Sequence, residues 1–288
     1  MAQTPRTART ARTADAPLRL TVLGSATPYP TRDNPCSGYL LEGGGARVWV
    51  DAGSGTLGPL QRHVGLGELD AIWISHLHAD HTADLLTAYY GLLYADVRRP
   101  APLPLYGPPG IADRLAGFLT NGPDRSPVEA AFEVHELYDG HRAPVGALGL
   151  TSRAVSHGMP AFALRAESEG RSLVYSGDTA PCAALTRFAE DCALLLCEAD
   201  SSVHAADGEP VHHTPEEAGD TARAARAGRL VVTHVGRDME PAEAVSRAAA
   251  RYSGPVDHAA PGAVFTVGEG SGEGSGQIAE RGFGQAAR

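Results

Sequence analysis

Lysine is absent from this 288-residue chain: all 24 basic residues are arginines, set against 34 acidic ones for a net charge of −10. A catalytic lysine or a lysine Schiff base is therefore excluded, and the bias fits a GC-rich genome. The acidic balance weighs against a large nucleic-acid partner, because neutralised phosphates supply most non-specific affinity; a local basic patch remains compatible with it. Cysteine is scarce as well. Cys36, Cys182, Cys192 and Cys197 form no C-x-x-C pair, and the apolar settings of the last two suggest buried free thiols. No apolar run approaches the roughly 18 residues that a membrane span needs. With no secretory-type segment either, a reducing cytoplasm is the simplest compartment and no membrane partner is expected.

What is present is an ordinary globular composition, 43% hydrophobic, enough for a full core. Residues 1–17, with Thr-Ala-Arg repeats, read as a disordered tail whose Arg6, Arg9 and Arg12 are available to an anionic partner. Residues 268–288, a Gly-Ser-Glu repeat, read as a flexible tail. Residues 18–267 form the folded domain.

The chemistry concentrates in Ser75-His76-Leu77-His78-Ala79-Asp80-His81. The apolar run Ala71–Ile74 before it reads as a buried strand, and Leu85, Leu86, Tyr89, Leu92 and Leu93 after it are spaced as a helix over Thr82–Tyr94. Histidines and a carboxylate at a strand end suit zinc or a similar ion. Further strands are expected at 18–23, 37–41, 47–50, 103–106, 132–137, 148–155, 162–166, 172–175, 193–197 and 230–233, with one or two more between 256 and 267. Helices are expected at 111–119, from Pro215 to about Ala227, and at 241–252. Several strands end in polar residues: Asp51, His157, Asp178, Glu198 and His234. A helix cap is the bland alternative for Asp51 or Ser54, and for Asp178 ahead of Pro181. The Gly53-Ser54-Gly55 turn opens a helix whose N-terminus could face a phosphate. Thr214 with Glu217, and Pro215 between them, fits a capping box.

The H-x-H-x-D-H pattern at the end of an apolar strand resembles the metallo-β-lactamase superfamily, and the likeness runs from about Leu18 to Val267. It implies an α/β fold, a four-layer αββα sandwich with helices outside two facing sheets and ligands along one rim. Carried over residue by residue, His76, His78 and His157 would hold one metal, Asp80, His81 and His234 a second, and Asp178 would bridge them. Asp80 would also be catalytic, and Asp51 would lie beside the metals and orient a ligand, as a carboxylate does behind a metal-bound histidine. Two divalent ions are implied, zinc for preference, with manganese or iron as alternatives.

Within the superfamily the chain is similar to the ribonuclease Z-like branch. The likeness rests on Leu-Gly-Ser-Ala-Thr-Pro, Asn-Pro-Cys-Ser-Gly-Tyr-Leu-Leu, Ser-Gly-Asp-Thr, and His212-His213-Thr214 before a Glu-Glu-Ala-Gly segment. A His-x-Thr there places a histidine beside the scissile phosphate. His212 matches it, as general acid to the leaving oxygen or donor to phosphate, though His213 differs from it by one step. Two cations would lower the pKa of a shared water toward about 7 and clamp the phosphoryl oxygens, making a metal-activated hydroxide the nucleophile. The tRNA-processing members carry a long Gly- and Lys-rich arm ahead of the bridging aspartate. Here only the twenty residues 158–177 separate His157 from Asp178, enough for a hairpin. That departure makes tRNA a lesser candidate. Tyr-Gly-Pro-Pro-Gly and Leu-Leu-Cys-Glu-Ala are similar to actinobacterial atypical class II cyclic-nucleotide phosphodiesterases, which implies a small phosphodiester such as cAMP. The alternatives are a tRNA 3′ endonuclease, a lactone or thioester hydrolase, which the His212-x-Thr214 signature disfavours, and a non-catalytic scaffold, which an intact ligand set disfavours. A homodimer is compatible with the branch.

The other histidines, His63, His135, His141, His204, His213 and His258, are expected at the surface or in packing, and Trp49 and Trp73 in the core. Tyr29 could line a base pocket by stacking; Tyr89, Tyr90 and Tyr94 fit helix packing better.

Overall fold

Strands covered on both faces read as continuous apolar runs, as in β11 (Leu194–Ala199), while those nearer an edge alternate. In β8 (Leu148–Ala154), Leu148, Leu150 and Ser152 are buried and Gly149 is exposed. The computed structural model describes residues 16–95, 97–203 and 209–268; the expectations for residues 1–15, for His204 and for residues 269–288 lie outside them. The first sheet contains β1 (Arg19–Gly24), β2 (Gly38–Gly43), β3 (Ala46–Ala52), β4 (Ala71–Trp73), β5 (Leu103–Gly107), β6 (Phe132–Glu136) and β14 (Val264–Thr266), in the order β14-β1-β2-β3-β4-β5-β6. The second holds β7 (Arg142–Val145), β8, β9 (Phe162–Ser168), β10 (Arg171–Tyr175), β11, β12 (Leu230–Val235) and β13 (Val256–His258), in the order β13-β12-β11-β10-β9-β8-β7.

Three apolar clusters define four layers. Leu20, Tyr39, Trp73, Leu150, Leu164 and Leu196 lie between the sheets. Trp49, Ile72, Leu85 and Leu105 bind the first sheet to α1 (Leu57–Leu60), α3 (Asp84–Tyr94), α4 (Ile111–Leu119) and α5 (Val128–Ala131). Val174, Leu185, Ala218 and Val232 bind the second to α6 (Ala183–Phe188), α7 (Pro215–Ala224) and α8 (Pro241–Ala249). The period of two sends Ile72 to the helices and its neighbour Trp73 to the inter-sheet core. The αββα sandwich is the architecture that the resemblance implies.

Strands β3 to β6 are mutually parallel, as are β10 to β12. Their C-terminal ends therefore lie at one rim of each sheet, which is where polar residues can collect without disturbing the cores.

Some boundaries differ from expectation. The helix expected from Thr82 starts as α2 (Ala79–Thr82), turns at Ala83 and continues as α3, so Asp80 and His81 sit on a helical turn. Strand β7 was not foreseen; it is a four-residue edge strand carrying Pro144, whose missing N–H costs least at an edge. The short helices α5 and α6 were also missed, and α7 and α8 stop at Ala224 and Ala249, before the expected ends at Ala227 and Tyr252.

Candidate metal centre

Seven side chains from both sheets meet at the rim in two groups, His76, His78, His157 and Asp178, and Asp80, His81, His234 and Asp178. In each group the candidate donor atoms lie within 4.8 Å of one another, and Asp178 belongs to both. His78 Nδ1 is 3.0 Å from His76 Nε2 and 3.3 Å from His157 Nε2. Asp178 Oδ2 is 3.6 Å from His76 Nε2, 3.4 Å from His81 Nε2 and 3.4 Å from His234 Nε2. Asp80 Oδ2 lies 3.4 Å from His81 Nε2 and 3.8 Å from His234 Nε2.

Four of the five histidines are oriented from behind. His81 Nδ1 donates to Asp51 Oδ2 at 2.7 Å, His76 Nδ1 to Ser75 Oγ at 3.1 Å, His157 Nδ1 to the Val211 carbonyl at 3.0 Å and His234 Nδ1 to Ser37 Oγ at 2.9 Å. With Nδ1 so engaged, each ring turns its Nε2 toward the group, the orientation that metal ligation needs. Burial drives His76 well below the usual imidazole range, and it lowers His78 and His234 too, so these rings are neutral donors at pH 7. Burial also opposes charge on His81, but Asp178 and Asp51 outweigh it and raise its pKa well above the ordinary value. Burial would likewise raise Asp178, yet His234, His81 and His76 hold it well below the usual carboxylate range.

The donor set fits two divalent cations. His81 Nε2 and Asp178 Oδ1 are buried with no hydrogen-bond partner, a condition that costs about 1–3 kcal/mol per group unless a ligand satisfies it. Both belong to the ligand groups, and imidazole with carboxylate is a common donor set for first-row ions.

Asp51 is fully buried at the end of β3 and caps no helix; α1 is preceded by Thr56 instead. Its carboxylate accepts from Ser75 N at 2.7 Å, Ser75 Oγ at 2.8 Å, His81 Nδ1 and Tyr175 Oη at 2.8 Å. Its φ of 54° and the 48° of His234 are left-handed, strained for residues with a Cβ and often found at functional sites. Gly53 follows because a Cβ there would meet the Asp80 carbonyl at 2.0 Å. The phosphate-facing helix expected after Gly55 is not available: α1 is one turn long, and Asp84 already accepts from Gly55 N and Leu57 N. Asp178 is likewise no helix cap, since α6 is capped at Cys182. Asp51→Asn is expected to weaken metal affinity by about 10- to 100-fold, read by competition with a chelating dye.

The adjacent histidines part company. His213 is buried, with Nδ1 2.7 Å from the Thr179 carbonyl and Nε2 3.2 Å from Thr221 Oγ1, so it packs and does not face the rim. His212 stands over both groups, its ring 5.2 Å from that of His157 and 6.1 Å from that of His234. Its Nδ1 lies 2.9 Å from Glu198 Oε1 and its Nε2 3.7 Å from Asp200 Oδ2. Burial works against the imidazolium, but the Glu198 hydrogen bond outweighs it and raises His212 to about 9. Sequence reading gave Glu198 no role; the signal was a carboxylate ending the fully buried run of β11. Ser37, Ser75 and Tyr175 were also unforeseen as partners. Thr214 does not touch the groups; it forms the capping box, accepting from Glu217 N and donating its own N–H to Glu217 Oε2. Thr214→Ala is expected to cost about 1 kcal/mol and roughly 2–4 °C of melting temperature, measured on the metal-loaded protein.

Comparison with known proteins gives the family and the fold. Residues 46–235 match the Beta-lactamase superfamily domain. A Mycobacterium leprae protein called uncharacterized is 36% identical over 254 residues, spanning 87% of this chain and 89% of its own length. The ribonuclease Z of Myxococcus xanthus is 30% identical over 304 residues, 87% of this chain and 97% of that one. Among solved structures, the metallo-β-lactamase fold protein YhfI from Bacillus subtilis superposes with a TM-score of 0.74 at 26% identity, covering 86% of this chain and 98% of the other.

Proposed function

This chain belongs to the metallo-β-lactamase superfamily, in its ribonuclease Z-like branch, and we propose that it is a dinuclear phosphodiesterase opening a 3′,5′-cyclic nucleotide such as cAMP. The hydrolase class follows from the family; the substrate is the step beyond it. Two bound divalent ions, zinc for preference on this N/O donor set, would supply a hydroxide nucleophile near neutral pH and neutralise the phosphoryl oxygens. His76, His78 and His157 would hold one ion, Asp80, His81 and His234 the other, and Asp178 both. Asp51 orients His81, and Glu198 holds His212 with its Nε2 free to donate. As an imidazolium, His212 would protonate the departing 3′ oxygen and leave a nucleoside 5′-monophosphate. The observation that carries the phosphodiesterase assignment is His212, held by a buried carboxylate above both ligand groups.

A short connection favours a small substrate. Between His157 and Asp178 lies only the β9–β10 hairpin, in which Ser168 pairs with Arg171 across Glu169-Gly170. No arm of the tRNA-processing kind lies between them. The ribonuclease Z relatives nonetheless support a second reading, a tRNA 3′ endonuclease, since the same groups would cut RNA. Four free cysteines suit a reducing cytoplasm, no helix among the described residues is long and apolar enough to cross a membrane, and a homodimer is compatible with the branch.

The deciding experiment is turnover of zinc- or manganese-loaded protein on cAMP beside a tRNA precursor with a 3′ trailer, with Asp80→Ala as control. Monophosphate release that the variant loses is the expected result. Trailer cleavage without cAMP turnover would replace this assignment with the endonuclease.

His212 also fixes a pH dependence. A general acid raised to about 9 is protonated and active below that pH, and the rate falls as pH rises through it. The charge of two cations moves that limb to lower pH. Glu198→Gln removes the anion that stabilises the imidazolium, so the alkaline limb of the pH–rate profile is expected to shift further toward acid.

A further inference from the structure

The two ligand groups, His212 and Glu198 deal with the phosphate and leave the rest of a nucleotide unrecognised. One pair of side chains beside them has no part in that chemistry. The Arg237 guanidinium lies over the Tyr29 ring, 4.5 Å from its centroid. Both residues are exposed, Tyr29 by 64%. Among the described residues Arg237 makes no hydrogen bond or ion pair; its neighbour Asp238 is engaged by Ser202 Oγ.

Both side chains are anchored to the rim. Arg237 comes three residues after the ligand His234, and Gly236 between them is pressed against the Asp200 backbone, where a Cβ would meet the carbonyl at 2.1 Å. The Asp200 carboxylate lies 3.7 Å from His212 Nε2, beyond hydrogen-bond distance. Tyr29 sits in the loop between β1 and β2, which ends at Ser37, the partner of His234 Nδ1. That loop is pinned on either side of Tyr29: Ala26 N donates to the Pro35 carbonyl, Ser25 N to Asn34 Oδ1, and Thr31 N to the Asn34 carbonyl, each at 2.9 Å. The backbone that carries both residues is thus fixed before any ligand arrives.

A planar cation lying over a phenol ring keeps a face and its N–H groups for a further flat, acceptor-bearing π-system. Nucleobases are such systems, and stacking on aromatic and arginine planes is how single nucleotides are commonly held. Resting on the nucleotide assignment above, we propose that Arg237 backed by Tyr29 is the nucleobase shelf of the site, so that the protein selects nucleotides over sugar phosphates.

The test is calorimetric titration of the metal-loaded protein with AMP and with ribose 5-phosphate, which shares the phosphate and sugar but lacks the base. The native protein is expected to bind AMP more tightly. Tyr29→Ala and Arg237→Gln are expected to lose AMP affinity by about 5- to 100-fold with ribose 5-phosphate affinity and metal content unchanged, and Tyr29→Phe to retain it. Equal affinity for the two ligands in the native protein, no AMP binding, or equal losses for both ligands in the variants would overturn the shelf. Turnover of cAMP is scored separately. A protein that prefers AMP through these residues yet leaves cAMP intact would keep the shelf and refute the cyclic-nucleotide assignment. One that cleaves cAMP with Tyr29→Ala binding AMP normally would do the reverse.

Discussion

Asp178→Asn is expected to bring metal content from two ions per chain to fewer than one and to lower phosphodiester turnover by at least about 10⁴-fold, because nucleophile generation and charge neutralisation fail together. Asp178 is the one side chain shared by both donor groups, and its anion is what His76, His81 and His234 face. Asparagine keeps the shape and removes the charge. Three buried imidazoles then lose the carboxylate that offsets the second cation's charge. Elemental analysis of dialysed protein and turnover with excess zinc check the two halves of the expectation. Retention of two ions with full turnover would mean that the rim groups are not a dinuclear centre.

His212→Ala should behave differently. Its turnover is expected to fall by about 10²–10⁴-fold, the usual worth of a positioned general acid, while two ions per chain remain bound. The ring is outside both donor groups, so the lesion is in proton delivery. A substrate whose leaving group needs no proton, such as a 4-nitrophenyl phosphodiester, should be much less affected. An equal loss on both substrates would assign His212 to phosphate binding instead. The adjacent His213→Ala should act on the fold, because its ring bridges Thr179 and Thr221 inside the second sheet's helical layer.

The contrast between those neighbours shows where a sequence stops being informative. The pattern from His76 to His81 was legible because four donors crowded into six positions after an apolar strand are hard to accommodate without a cation between them. His157, Asp178 and His234 were legible because each follows a strand at the place where the resemblance implies a ligand, and a strand end is a fixed place in a layered sheet. The facing of His212 and His213 was not, since nothing in their order says which side of the chain the core takes. Glu198 was hidden for a related reason: a carboxylate at the end of β11 reads the same whether it meets a histidine or solvent. Ser75, Tyr175 and Ser37 act through contacts between distant segments, Ser37 with His234 and Tyr175 with Asp51, which no local pattern records. In the fold, the long helices were found and the short ones α5 and α6 lost. Both carry too few turns for a period to show, and β7 is a four-residue edge strand with a proline inside it.

Each donor group draws residues from both sheets: His76 and His78 with His157, and Asp80 and His81 with His234. In the language of polymer topology, a bound ion is then a reversible cross-link closing a chain loop of about 80 residues in one case and about 150 in the other, and long loops are where closure removes most freedom from the unfolded ensemble. Occupancy would therefore tune how readily the two halves of the sandwich part. A cell's supply of metal would set the protein's lifetime against proteolysis as well as its rate.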